Sequence, residues 1–178
     1  ENQTGIEALA SRGIINGYAD GSFRPGATMT RAEFAAIVVR ALGLEPRATA
    51  LFADVAPTSW YASYIGTAST YGIVKGTSPS TFDPSGTITR QEAAVMTARA
   101  AKLCGMDPAR TTAEIRDALA QFEDYVTVAD WARESVAFCY SENLWDPSAL
   151  AIQPAVPITR GEIAQMLASM LDKANLLL

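Results

Sequence analysis

Apolar side chains recur along this chain with the helical period, in blocks that resemble one another. Phe34, Ile37, Val38, Ala41 and Leu42 follow the i, i+3, i+4, i+7, i+8 pattern of a helix with one apolar face. Ile163, Met166, Leu167, Met170 and Leu171 repeat that stripe. Ala93, Met96, Thr97, Ala100 and Ala101 keep the spacing with smaller groups, a thin face that lets neighbouring helices approach closely. Upstream of each block a second helix is predicted, over 5–12, 60–71 and 131–142. Gly13, Gly72 and Asn143 follow these helices, and Gly and Asn are the residues that tolerate a left-handed C-terminal cap. A loop of turn formers comes next, such as Asn16-Gly17 and Asp20-Gly21, closing on Pro25 or its counterparts.

The likeness between blocks is an internal repeat. Thr30-Arg31-Ala32-Glu33, Thr89-Arg90-Gln91-Glu92 and Thr159-Arg160-Gly161-Glu162 open the three downstream helices. A shift of 59 residues carries the first onto the second and also pairs Gly17 with Gly76, Phe23 with Phe82 and Pro25 with Pro84. A shift of 70 carries the second onto the third and pairs Phe52 with Phe122, Asp54 with Asp124 and Pro84 with Pro154. One residue more is needed to pair Trp60 with Trp131 and Gly72 with Asn143. The chain therefore reads as three copies of a helix-loop-helix unit, at 1–46, 51–106 and 122–178. Residues 107–121 lie between the last two, and Thr111-Thr112-Ala113-Glu114 predicts the start of a short connecting helix there. Units this small bury little core alone and must pack on one another. The expected fold is all-α, three helix-loop-helix repeats in a pseudo-threefold arrangement around a central three-helix bundle.

Composition removes several classes of function. The 178 residues are 49% hydrophobic and 19% charged, enough apolar surface to offset the entropy of ordering a folded core. Fourteen basic against 19 acidic residues give a net charge of −5, the wrong sign for a nucleic-acid binder. The uncharged run 55–74 carries Pro57, glycines and many hydroxyl residues, so it is no membrane span. The first residues lack a basic segment ahead of an apolar run, so the sequence reads as a mature or excised piece. Histidine is absent, which rules out a Ser-His-Asp triad, a Cys-His pair and histidine-based zinc sites. Cys104 and Cys139 are too few for a thiolate metal site and read as small buried hydrophobes, a disulfide between them remaining open. No metal and no cofactor are expected.

Candidate chemistry concentrates at the repeated tetrad. Thr and Glu three residues apart, ahead of an apolar-periodic helix, make a capping box, which accounts for Thr30 and Glu33, Thr89 and Glu92, Thr159 and Glu162. Arg31, Arg90 and Arg160 are different, because each puts a cation at a helix N-terminus, where the dipole disfavours it by about 0.3–1 kcal/mol. Each needs a compensating anion. Two are open: an internal carboxylate such as Asp20 or Asp54, or an external anion held by the guanidinium and the helix N-terminus together. The first-copy loop beside this site, from Gly17 to Phe23, offers Tyr18, Asp20 and close-approach glycines, a mixture that suits a sugar. Phe23 and Phe82 are expected to cap the core, and Trp60 and Trp131 to pack within it.

Gly13-Ile14-Ile15-Asn16-Gly17-Tyr18-Ala19-Asp20-Gly21-Ser22-Phe23-Arg24-Pro25, followed by Met29-Thr30-Arg31-Ala32-Glu33-Phe34, resembles the S-layer homology repeat, and three such repeats cover nearly the whole chain. The resemblance implies a module that anchors exported proteins to the bacterial cell surface, outside the cell in the wall or S-layer. It also implies a partner: secondary cell-wall polysaccharide, ending in pyruvylated N-acetylmannosamine, held in grooves between adjacent repeats. Arg31, Arg90 and Arg160 would meet the ketal carboxylate, with Tyr18, Asp20, Gly17 and Gly76 beside them. The family's upstream Phe-x-Asp segment has no counterpart ahead of the first copy. Thr77-Ser78-Pro79-Ser80 replaces the loop motif in copy two, and Trp145-Asp146-Pro147-Ser148-Ala149-Leu150 replaces it in copy three. The grooves should therefore differ, with Arg31 the best site, Arg90 next and Arg160 weak or structural. Arg31→Ala is then expected to weaken polymer binding and leave the module folded. The alternative is a protein–protein assembly module of a surface layer, its arginines pairing with carboxylates of neighbouring subunits. Glycan hydrolysis would need two positioned carboxylates, and no acidic pair recurs among the copies, so no enzyme activity is expected.

Overall fold

The computed structural model describes residues 3–177, and these form an all-α fold. Seven α-helices occur among them: α1 (Gln3–Ala10), α2 (Arg31–Ala41), α3 (Ala62–Thr70), α4 (Arg90–Leu103), α5 (Thr112–Leu119), α6 (Arg133–Ser141) and α7 (Arg160–Lys173). Extended pairing among the described residues is limited to three isolated bridges, Thr28 with Thr159, Thr30 with Thr87, and Thr89 with Pro157.

The helix ends follow from the sequence. Thr89, Thr111 and Thr159 each accept the N–H of the glutamate three residues on, and that glutamate reaches back to the threonine N–H, a complete capping box. Thr30 accepts from the Glu33 N–H at 3.1 Å, but Glu33 returns to the Thr30 hydroxyl and not to its backbone, so this box is half made. Gly13, Gly72 and Asn143 stop α1, α3 and α6 with φ of 67°, 71° and 53°, the left-handed geometry their positions predict. The connecting helix begins where Thr111 and Glu114 cap it.

Packing runs between copies. The downstream helix α2 packs on α3, the upstream helix of copy two; α4 packs on α6 of copy three; α7 packs on α1 of copy one. Each partnership crosses a copy boundary, and the last one joins the two ends of the described chain. α7 also touches α2 and α4, but more narrowly, so the three downstream helices meet less than each meets an upstream partner. The α1–α7 contact is close enough that a Cβ on Gly5 would lie 2.7 Å from the Gln165 Cα, which leaves glycine the one residue that fits. Phe34, Ile37 and Val38 of α2 are buried as their spacing predicts, and Ala35, Ala36 and Val39 widen that face. Trp60 and Trp131 depart from expectation. They stand 57% and 60% exposed, because each lies in the turn that precedes its helix and not on the inward stripe. Cys139 is fully buried, Cys104 half-buried, and both are free thiols.

Thr159→Ala removes the cap of α7, the helix that closes the fold. Urea denaturation should show a loss of about 1 kcal/mol, read as a Tm lower by about 2–4 °C.

Candidate functional site

The first two N–H groups of each downstream helix point out of its N-terminus with no partner within the helix. Here the neighbouring copy supplies them. Arg31 N and Ala32 N donate to the carbonyls of Gly86 and Pro84 at 2.9 and 3.1 Å. Arg90 N and Gln91 N donate to Val156 and Pro154, both at 2.9 Å, and Arg160 N and Gly161 N to Ala27 and Pro25 at 2.8 and 2.9 Å. The loop prolines thus mark where one copy receives the helix start of another. A helix N-terminus open to an external anion, as the sequence suggested, is not what forms; carbonyl oxygens fill it.

The arginine side chains join the same seam. Arg31 Nε donates to the Phe82 carbonyl at 2.9 Å and Nη2 to that of Lys75 at 3.0 Å, with Nη1 3.9 Å from Glu92. Arg160 repeats this in copy one, with Nε to Phe23 at 3.1 Å, Nη2 to Asn16 at 2.6 Å and Nη1 3.9 Å from Glu33. Arg90 donates Nε to the Ile152 carbonyl at 2.8 Å and Nη1 to Glu162. The compensating carboxylate is therefore the capping glutamate of the adjacent copy. Asp20 and Asp54, the carboxylates suggested by sequence, do other work. Asp20 pairs with Arg24 at 2.8 Å and accepts from Ser22, whose hydroxyl and backbone N–H, with Arg24, hold its carboxyl down at about 2. Asp54 accepts from the N–H groups of Phe82 and Asp83, both at 2.8 Å, and Asp124 likewise from Ile152 and Gln153 at 2.9 and 2.7 Å.

Because helix starts meet loops of the next copy, the loop carrying Gly17, Tyr18 and Asp20 stands beside Arg160 and not beside Arg31. Tyr18 lies between two guanidinium groups, 4.2 Å from Arg24 and 4.9 Å from Arg160. Gly17 and Gly76 are required by the loops themselves: a Cβ there would lie 2.9 Å from the Ser22 carbonyl oxygen and 2.3 Å from that of Thr81. Arg31 and Arg160 are 5% and 6% exposed, so the site expected to be strongest is one of the two most enclosed.

Arg90 differs from both. Copy three holds Ile152 where Phe82 and Phe23 lie under the other arginines, and Trp145 supplies the ring instead, 4.7 Å from the guanidinium. Its loop is one residue shorter, Asn143 to Ile152 against Gly72 to Phe82. No carbonyl corresponding to Lys75 or Asn16 reaches Arg90, and Nη2 has no hydrogen-bond acceptor among the described residues. A hollow of about 430 Å³ opens beside it, lined by Arg90, Trp145, Asp146, Ala149, Glu162 and Gln165, together with Leu144. Behind the ring, the buried Tyr140 hydroxyl faces the Arg90 guanidinium without a hydrogen bond of ordinary geometry, and burial pushes its phenol up to about 12 against the pull of the Arg90 charge and its N–H donors. The sequence named Arg90 and the divergent copy-three loop; the signals for the hollow are the one-residue shortening, Ile152 in place of Phe, and Trp145 within that loop. No group of three or more His, Cys, Asp or Glu side chains placed to hold a metal occurs among the described residues.

The sequence model of the S-layer homology domain matches residues 2–35 and 51–94. Relatives include the exoglucanase XynX of Acetivibrio thermocellus, 31% identical over 96% of this chain and 15% of that protein. The surface-layer 125 kDa protein of Lysinibacillus sphaericus is 30% identical over 96% of this chain and 14% of that protein. The surface layer protein of Brevibacillus choshinensis is 39% identical over 53% of this chain and 9% of its own length. The chain thus spans about a seventh or less of the length of these relatives.

Two outcomes follow from the seam. Arg31→Ala should unfold more readily, by about 1–3 kcal/mol in urea denaturation, because it strands the carbonyls of Phe82 and Lys75. For Asp54, burial raises the carboxyl, but the N–H groups of Phe82 and Asp83 outweigh it and hold the group below its ordinary 3.8. A carboxyl lowered on folding stabilises above its unfolded pKa and loses that contribution as pH falls through the folded value. The Tm difference between the native chain and Asp54→Asn should therefore be constant above about pH 5 and shrink steadily in more acid buffer.

Proposed function

The chain belongs to the S-layer homology family, whose place is the cell surface, and from that premise we propose that it anchors a surface protein to the bacterial cell wall by holding an acidic glycan at a seam between copies. The Arg90 hollow carries this reading. An unengaged Nη2 offers charge-assisted hydrogen bonds to a carboxylate, Trp145 braces the guanidinium, and Asp146 and Gln165 stand where sugar hydroxyls need acceptors and donors. The ligand is a secondary cell-wall polysaccharide whose terminal pyruvylated N-acetylmannosamine presents the ketal carboxylate to Arg90. Arg160 with Tyr18 and Asp20 forms a second, more enclosed contact, and Arg31 with Gly76 a third whose main part is to hold copies one and two together.

The chain is an anchor and not a catalyst in this reading. Asp146 and Glu162 line the same hollow, but glycoside hydrolysis needs one carboxyl kept protonated. Ser148, through its hydroxyl and backbone N–H, holds Asp146 below its ordinary range, and both Glu162 oxygens are already engaged, by Arg90 and by Thr159. A second reading, assembly with neighbouring surface-layer subunits, is favoured by the equivalent exposure of Trp60 and Trp131.

Calorimetric titration with pyruvylated polymer separates the two. Ala149→Trp fills the hollow without touching the arginine seam and should weaken binding at least about tenfold, or 1.4 kcal/mol, while the native chain gains Tm on adding polymer. An affinity untouched by Ala149→Trp sinks the Arg90 assignment. Absence of any polymer-induced rise in Tm favours the assembly reading.

A further inference from the structure

Trp60 and Trp131 are equally exposed but differ in their surroundings. Trp131 has no aromatic neighbour among the described residues and stands among charges: Asp130 precedes it, Arg133 and Glu134 follow, and Arg133 pairs with Asp130 at 3.0 Å. Trp60 belongs to an aromatic cluster. The Tyr61 ring lies 5.5 Å from it at 81°, and the Tyr64 ring 6.4 Å from it at 61°. The shift that pairs Trp60 with Trp131 puts Ala132 and Ser135 at the places of these tyrosines, so copy three keeps the indole and lacks its supports. Tyr64 is itself fixed, since Arg40 donates to its hydroxyl at 3.3 Å and lies 4.8 Å over its ring.

These supports leave the indole open. Neither tyrosine stacks parallel to it, and Trp60 stays more than half exposed. An indole left in water forgoes the gain of burial, and neighbours that restrict its rotamers lower the entropy a ligand must remove on binding. The chemistry around the ring defines that ligand. Residues 55–74 carry no charged side chain, in a chain that is 19% charged, and Arg40, the cation in contact with the cluster, is taken up by Tyr64. Hydroxyl groups flank the indole instead. Those of Thr58, Tyr61 and Ser63 have no hydrogen-bond partner among the described residues, whereas Ser59 donates to the Ala56 carbonyl. A hydroxyl both donates and accepts, as sugar hydroxyls do. An acidic sugar finds no free cation here, and the charged rim of a protein partner finds no counter-charge.

We propose that Trp60, braced by Tyr61 and Tyr64, is a separate glycan contact that stacks an uncharged pyranose from the interior of a polysaccharide. The apolar C–H face of the sugar lies on the indole, and the free hydroxyls of Thr58, Tyr61 and Ser63 meet its polar rim. Two sources present this chemistry, a neutral stretch of wall polysaccharide and a chain of N-acetylglucosamine. The contact shares no residue with the arginine seams or with the Arg90 hollow, and it does not rest on the reading of that hollow.

NMR of the full chain, following the indole N–H signals of Trp60, Trp131 and Trp145, tests this with two probes. One is secondary cell-wall polysaccharide freed of pyruvate by mild acid, the other a soluble chitin oligosaccharide. The Trp60 signal should shift and saturate with at least one probe, the probe that acts identifying the source, while Trp131 and Trp145 stay in place. By calorimetry, Trp60→Ala should weaken binding of that probe at least about tenfold and Trp60→Phe by only about threefold, both with the native Tm because the position is exposed. The Trp60 shift should persist in Ala149→Trp, whatever becomes of the Arg90 hollow. The proposal is overturned if neither probe moves the Trp60 signal, if Trp131 moves as far, or if Trp60→Ala binds as the native chain does. Self-association abolished by Trp60→Ala, with no shift on adding sugar, equally overturns it and assigns the cluster to a protein partner.

Discussion

A guanidinium group laid across a copy boundary, bonded to backbone carbonyls of the next loop, is the interaction on which this structure depends. Arg31, Arg90 and Arg160 each start a helix, the end where a positive charge is least welcome. Burial makes the problem worse, since a charge removed from water must be fully met by acceptors. The loops supply them in the carbonyls of Phe82, Ile152 and Phe23, and the adjacent capping glutamate supplies opposite charge. Glu162 shows the economy of the device most directly: one oxygen takes the Thr159 N–H and the other takes Arg90. Cap, loop and boundary are therefore a single coupled unit, and loss of one member strands the rest.

That coupling explains why the helices partner across copies. A downstream helix cannot satisfy its first N–H groups within its own unit, because the matching carbonyls, Pro84, Pro154 and Pro25, belong to another loop. Once the seam forms, α2 is brought to α3, α4 to α6 and α7 to α1, and the apolar faces close on those partners. The thin face of α4 suits this, since Ala93, Ala94, Ala100 and Ala101 are all fully buried. The small-residue contact of Gly5 with Gln165 serves the same closure at the α1–α7 seam.

Much of the fold was legible in the sequence: the helices, their threonine caps, the left-handed stops at Gly13, Gly72 and Asn143, and the connecting helix at Thr112. What could not be read was which copy each tetrad faces. An internal repeat looks identical whether Arg31 meets its own loop or the next one, so the sequence does not show that the loop of Tyr18 and Asp20 faces Arg160. Trp60 and Trp131 misled for a different reason. Apolar neighbours in sequence argue for burial only where the residue lies on the helical stripe, and both precede it. The carbonyl acceptors were invisible because every residue carries one, and no side-chain type marks the carbonyl that will be used.

The difference among the three arginines follows from one residue of loop length. A guanidinium has five donors, and each of the three arginines spends two nitrogens on hydrogen bonds across its seam, so they differ in which nitrogen is left and in what encloses it. In copies one and two the loop reaches far enough to present Asn16 and Lys75 carbonyls to Nη2, which encloses Arg160 and Arg31. In copy three the shorter loop withholds that carbonyl and turns Trp145 under the charge, and the hollow appears beside the donor left over. The same arginine can then hold the fold with Nε and Nη1 and meet an anion with Nη2. A repeat built for stability thus acquires a binding position where its structural bonding is left one carbonyl short.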